Sequence, residues 1–286
     1  MKNIKIFINL TRLNKPIGFM LLFWPSIWGL TLGFNKTNNI TLYFFYIVLF
    51  FLGSVLMRSA GCIMNDIADK DFDKKTERAK NRPIASGKIS IFKSLVYTIA
   101  LCLLAFIILL QFNKLTFILG LISIPLAFLY PFMKRYTYWP QFFLGITFNW
   151  GIVMGWAAMT NNLSIEPIIL YLSAIFWTLG YDTIYGYQDI EDDEIIGVKS
   201  TSIKFKKNYR SFIGSCYFIS ILFLIYLGIK DNINVNYFIF LIFPILQMIF
   251  QIMKINIKDA QNCLYLFRSN NFFGFLIFIG LLSSGI

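Results

Sequence analysis

The sequence predicts an all-α protein that crosses a membrane nine times. Three observations carry that expectation. Apolar residues make up 57% of the 286 and charged residues only 14%, against about 25% charged in ordinary soluble domains. Mean hydropathy is +0.66. The apolar residues also gather into runs of roughly 20, the length a helix needs to cross the hydrocarbon core. A water-soluble fold could not keep so much apolar surface from water, so residues 1–286 are expected to form a single transmembrane domain.

In chain order the runs are 16–33, 41–63, 94–112, 115–133, 138–160, 164–183, 209–228, 234–254 and 270–286. Only Asn113-Lys114 separates the third run from the fourth, which predicts a tight hairpin. Charged loops are expected at about 64–93 and 184–208. Within the first, Pro83 and Gly87 of NRPIASG break any helix and predict an ordered loop. The first residues, MKNIKIFINLTRLNKP, do not read as a cleavable leader.

Charge placement sets orientation. Of the 26 basic residues, 22 belong to the N-terminal segment and to the loops after spans two, four, six and eight. Lys36, Lys114 and Lys230 serve the opposite loops, and Arg58 lies within span two. The positive-inside rule then puts the N-terminus in the cytoplasm and the C-terminus outside. The net charge of +12 is accounted for by this topology and by anionic lipid, so nucleic acid is not an expected partner. The four cysteines are scattered and read as small apolar residues. With no histidine, imidazole metal sites and histidine bases are excluded, and any metal must be a hard cation held by oxygen.

Eleven of the 14 acidic residues fall in two segments, 66–77 and 182–194, each starting at the cytoplasmic end of a span. In the first, NDIADKDFD, a continuing helix would stack Asn65, Asp69 and Asp73 at i, i+4 and i+8, with Asp66 alongside. In the second, Asp182, Asp189 and Asp193 share a face at i, i+7 and i+11. Stacked carboxylates repel unless a cation neutralises them. Two such sets suit Mg²⁺, which takes oxygen ligands and is commonly shared with substrate phosphates. Nearby Arg78, Arg82 and Lys199 could pair with phosphate oxygens. Position 69 maps to 189 and 73 to 193 at one offset of 120, so spans one to four and five to eight could form a parallel repeat with span nine appended.

Five strings, in order, resemble the UbiA superfamily of intramembrane aromatic prenyltransferases, closest to its benzoate-prenylating subgroup. They are RLNKPIGFMLLFWPSIWGL, MRSAGCIMNDIADKDFD, NRPIASG, YPFMKRYTYWPQ and YDTIYGYQDIEDDEIIGVKST. Asn14 and Gly186 depart from residues common in that family, and neither is a metal-ligand position. The resemblance implies nine helices around a central cavity in a bacterial inner membrane. It implies transfer of a polyprenyl group from an all-trans polyprenyl diphosphate to the ring carbon ortho to the hydroxyl of 4-hydroxybenzoate, in ubiquinone biosynthesis. It implies that Asp69, Asp73, Asp189 and Asp193 bind Mg²⁺, supported by Asn65 and Asp66. Arg135 is the first choice to meet the acceptor carboxylate and Arg58 the second, with an ion pair to the first acidic cluster as the structural alternative for Arg58. Lys15, with Arg12, is expected at the site's mouth, Tyr185 among the substrate-binding residues, and Asp182 near the phenol hydroxyl or its proton. A prenyltransferase with another acceptor and a cation-coupled transporter are the competing readings. The acids at span ends, rather than near the bilayer midplane, weigh against the transporter.

Overall fold

The computed structural model describes residues 2–283, which form helices and turns with no strand. A short amphipathic helix, α1 (Lys2–Thr11), precedes the membrane region. Among the described residues, nine helical stretches are long and apolar enough to cross a bilayer. They are α2 (Ile17–Thr37); α3 (Ile40–Ala68), followed by the single turn α4 (Lys70–Asp73); α5 (Ile91–Leu109); and α6 (Lys114–Leu129), extended by the single turn α7 (Met133–Tyr136). Next come α8 (Pro140–Asn149) and α9 (Gly151–Thr160), two halves of one span, then α10 (Ile165–Gly186), α11 (Ile190–Ile196) and the turn α12 (Thr201–Lys204). The chain ends in α13 (Tyr209–Lys230), α14 (Val235–Lys254) and α15 (Ala260–Leu282).

Capping side chains fix several boundaries. Asn39 Oδ1 accepts from the Leu42 amide, Ser90 Oγ from Lys93 and Asn113 Oδ1 from Thr116, each satisfying an amide that has no partner within its helix. Asn113 also donates to the carbonyls of Ala157 and Ala158, tying the expected hairpin to α9. The ninth span departs from the expected 270–286. Asp259 caps two amides and starts α15 at Ala260, and residues 284–286 lie outside the described part. Hydropathy missed the first turns because they carry Gln261, Asn262, Arg268 and Ser269. Several of these polar groups point inward to partners: Ser269 meets Gln247 and Gln251, and Asn270 accepts from Trp177 Nε1 at 2.9 Å.

The spans form a ring in which each packs on its sequence neighbour and α15 returns to α2. Across the ring α2 and α9 meet backbone to backbone. A Cβ added at Gly29 would lie 1.9 Å from the Ile152 carbonyl oxygen, and one at Gly155 would lie 2.3 Å from the Ser26 oxygen. Small residues permit that approach where helices pack in lipid. The core is aromatic, with Trp28, Trp177 and Phe273 in mutual contact. Large apolar side chains such as Phe44, Ile99, Leu103 and Phe243 cover the outside, as a lipid-facing surface requires. All four cysteines are free thiols.

Candidate active site

Both acidic clusters sit where a long helix breaks. α3 ends at Ala68, and Asp69 takes φ −98°, ψ 4° before the single turn α4. α10 ends at Gly186, and after a 3₁₀ turn Asp189 takes φ −117°, ψ 13° before α11. These conformations lie near the sparsely populated bridge region, where active-site residues recur. The continuous helix expected through Asp73 is therefore interrupted at Asp69. One turn later, Asp73 falls into a small side pocket of about 160 Å³ rather than the main cavity.

The main cavity, about 1040 Å³, opens among the helix ends that carry the clusters. Asn65, Asp66, Asp69, Asp182, Asp189 and Asp193 line it, together with Lys15, Arg58, Arg78, Arg82, Tyr185 and Lys199. The side pocket shares Asp69, Asp189 and Asp193 with it. The loop after α4 ties the clusters together. Arg78 grips both Asp189 oxygens, with Nε to Oδ1 at 2.6 Å, and donates to the Tyr185 hydroxyl at 3.0 Å. The Glu77 amide donates to Asp192 at 3.1 Å. Arg82 bridges Asp66 and Asp73, while Arg12 meets Asp66 at 2.6 Å. Burial raises the Asp73 carboxyl above its ordinary range against the pull of Arg82, with Asp66 and Asp69 adding to the rise. Partial burial lowers the Lys15 ammonium; the Tyr185 phenol opposes this, and Arg12, Arg78 and Arg82 reinforce it.

Eight cationic and five acidic side chains line the cavity, so its formal charge favours anions. Arg58 is poised for one. Its guanidinium stacks over Phe148 with its carbon 5.2 Å from the ring centre, its buried Nε has no hydrogen-bond partner, and Gly18 leaves it room. Arg135, the first choice for that role, is not among the residues lining either pocket. It is exposed, donates to the Ala68 carbonyl at 2.7 Å and packs over Phe72 and Phe132. Successive helical residues differ by about 100°, and on α7 the neighbouring Lys134 faces inward.

The donor set fits a hard cation. It offers oxygens only, and Asn65 Oδ1 and Asp69 Oδ1 are buried without hydrogen-bond partners. Among the described residues no three acidic or thiol side chains come together as a group that could hold a metal ion by themselves.

The profile of the UbiA prenyltransferase family matches residues 22–278. The chain belongs to the UbiA prenyltransferase family. A 4-hydroxybenzoate octaprenyltransferase of Vesicomyosocius okutanii is 42% identical over 275 residues, covering 96% of this chain and 98% of the relative. The apo structure of a UbiA homologue from Aeropyrum pernix K1 superposes with a TM-score of 0.78 at 21% identity, covering 93% of this chain and 98% of the other. A UbiA homologue from Archaeoglobus fulgidus bound to DMAPP and Mg²⁺ gives a TM-score of 0.67 at 15% identity over 97% and 99% of the chains. At those identities the structures establish the UbiA fold alone.

Three further residues line the main cavity without a signal in the sequence pattern. Lys134 pairs with Asp69 at 2.5 Å and lines both pockets. The Tyr130 hydroxyl accepts from Asn65 Nδ2 at 2.6 Å and fixes that side chain. Arg268 reaches the cavity from α15. The first two stand in the YPFMKRYT string, where a one-residue phase decides which side chain faces in. Arg268 was hidden because span nine appeared to begin after it.

Proposed function

We propose that the protein is a Mg²⁺-dependent 4-hydroxybenzoate polyprenyltransferase of ubiquinone biosynthesis, in a bacterial inner membrane with its N-terminus cytoplasmic and its C-terminus outside. The observation that carries the reading is the convergence of Asp69 and Asp189, 120 residues apart, on one anion-favouring cavity of a UbiA chain. The name shared by its full-length relatives supplies the acceptor. The charge distribution among the loops supplies the orientation.

In this reading Asp69, Asp73, Asp189 and Asp193, with Asn65 and Asp66 in support, would hold the metal. Bound Mg²⁺ supplies charge neutralisation on the diphosphate as its bond to the allylic carbon breaks. Arg78, Arg82 and Lys134, now paired with carboxylates, exchange those partners for phosphate oxygens, with Lys199 at the same rim. Arg58 holds the carboxylate of 4-hydroxybenzoate and so aims the ring. The ring carbon ortho to the hydroxyl forms the new C–C bond, diphosphate leaves, and the displaced ring proton passes to Asp182. Burial of the reacting carbon excludes water that would quench its cationic character. The tail lies among apolar side chains and lipid.

Product analysis tests the reading. Purified protein in lipid, given 4-hydroxybenzoate and all-trans prenyl diphosphates of several lengths, is expected to yield 3-polyprenyl-4-hydroxybenzoate and diphosphate. EDTA is expected to stop the reaction and Mg²⁺ to restore it. Prenylation of a naphthoate but not the benzoate would overturn the acceptor, and indifference to EDTA would overturn the metal role.

A further inference from the structure

Arg268 has no role in the chemistry above, yet its position is unusual. It lies eight residues past the start of α15, roughly 12 Å along the helix. Its side chain is exposed. It lines the cavity on the same face of α15 as Leu264 and Asn271, at i−4 and i+3. Its side chain makes no ion pair or hydrogen bond among the described residues, whereas Asp66, Asp69, Asp73 and Asp189 are all paired with other cations. A carboxylate partner therefore does not explain it.

Its surroundings are those of an amphiphile. Phe19 and Met20 of α2 and Leu264 of α15 line the same cavity. One turn further along α15 the wall between these helices is closed. Asn271 accepts from Trp24 Nε1 at 2.8 Å, and a Cβ on Gly274 would lie 2.3 Å from the Trp24 ring. Arg268 is thus a lone cation just above that seal, beside apolar side chains, in a cavity whose carboxylates are on other helices.

We infer that Arg268 is a positioning residue that receives the anionic head of the isoprenoid diphosphate at the α2–α15 wall, before the head reaches the aspartate clusters. The inference rests on the proposed function for the identity of the substrate. It assigns Arg268 a share in capturing the prenyl donor and none in bond making or in holding the aromatic acid.

The test uses the full chain in phosphatidylcholine nanodiscs and a prenyl thiolodiphosphate, whose C–S bond resists cleavage. Arg268→Gln is expected to weaken binding of this analogue about tenfold, the scale of one lost charge-assisted contact, and Arg268→Lys to recover most of it. In turnover, Arg268→Gln is expected to raise KM for the prenyl diphosphate and to leave kcat and KM for the aromatic acid within about twofold. Unchanged analogue binding in Arg268→Gln would overturn the inference. So would equal weakening toward the uncharged prenyl alcohol, which marks a packing role, or a defect seen only when anionic lipid is added, which marks a headgroup anchor. A wild-type protein that binds the analogue but never prenylates 4-hydroxybenzoate would sink the proposed function and leave the Arg268 measurement standing.

Discussion

Gly18 and Arg58 form a matched pair across α2 and α3. A Cβ on Gly18 would sit 2.9 Å from Arg58 Nε, so the glycine of the KPIGF string is the space in which the guanidinium lies. Arg58→Ala is expected to raise KM for 4-hydroxybenzoate at least tenfold while KM for the prenyl diphosphate moves little. Gly18→Ala, which only displaces the guanidinium, is expected to do the same to a smaller degree. Steady-state kinetics with each substrate varied in turn checks both, and an equal rise for the two substrates would remove Arg58 from the acceptor end. Asp69→Ala and Asp189→Ala are expected to lower kcat by about a hundredfold or more, with the thermal midpoint in detergent nearly unchanged. That the aspartates gather at one place was legible, because clustered like charge is hard to explain by solvation. Which basic side chain of α7 faces the cavity was less so, because α7 is a single turn without a period to read, and neither Arg135 nor Lys134 announces its direction.

Each acidic cluster is an element in itself: a membrane helix that stops, an aspartate in a near-bridge conformation, and a short second helix. The sequence supplied the spacing of these aspartates but could not show the stop, since helical i, i+4 periodicity looks the same on either side of one irregular residue. The break moves Asp73 into the side pocket and leaves Asp69 at the main cavity. The first part of the loop after α4 is tied to the second cluster by Arg78, through Asp189 and Tyr185, and by the Glu77 amide, while Arg82 on Asp66 and the buried Ile84 and Ile89 anchor the rest. Arg78→Ala is therefore expected to speed hydrogen exchange through residues 74–81 several-fold and to leave α10 and α13 protected, because these pack on each other independently of the loop. It is also expected to raise KM for the prenyl diphosphate. Exchange confined to the mutated turn would show that the loop is ordered by its own turns instead.

At the scale of the whole molecule, the 120-residue offset gains a structural counterpart. Asp69 and Asp189 occupy matching positions at the breaks of spans two and six. The spans that precede these, α2 on one side and α8 with α9 on the other, are the pair that meet across the ring. The count of spans and their order could be read from hydropathy, because lipid demands long apolar helices. This central contact could not, since Gly29, Gly33, Gly151 and Gly155 look like ordinary membrane glycines until the backbones are seen together. The contact fixes how the two halves, and hence the two clusters, face each other. Stability should then depend on how rigid each glycine's neighbour is. At Gly29 the neighbour is the Ile152 backbone at 1.9 Å, which cannot yield without moving α9. At Gly33 the nearest atom is Met159 Cβ at 2.9 Å, and at Gly214 of α13 it is only Ile252 Cδ1 at 3.8 Å. Gly29→Ala is expected to cost roughly 1–3 kcal/mol or more through overpacking and to lose activity with stability. Gly33→Ala should be milder, and Gly214→Ala neutral or slightly stabilising. Thermal aggregation midpoints of the three variants in one detergent check that order. A Gly29→Ala variant as stable and active as Gly214→Ala would show that the α2–α9 contact does not set the geometry of the site.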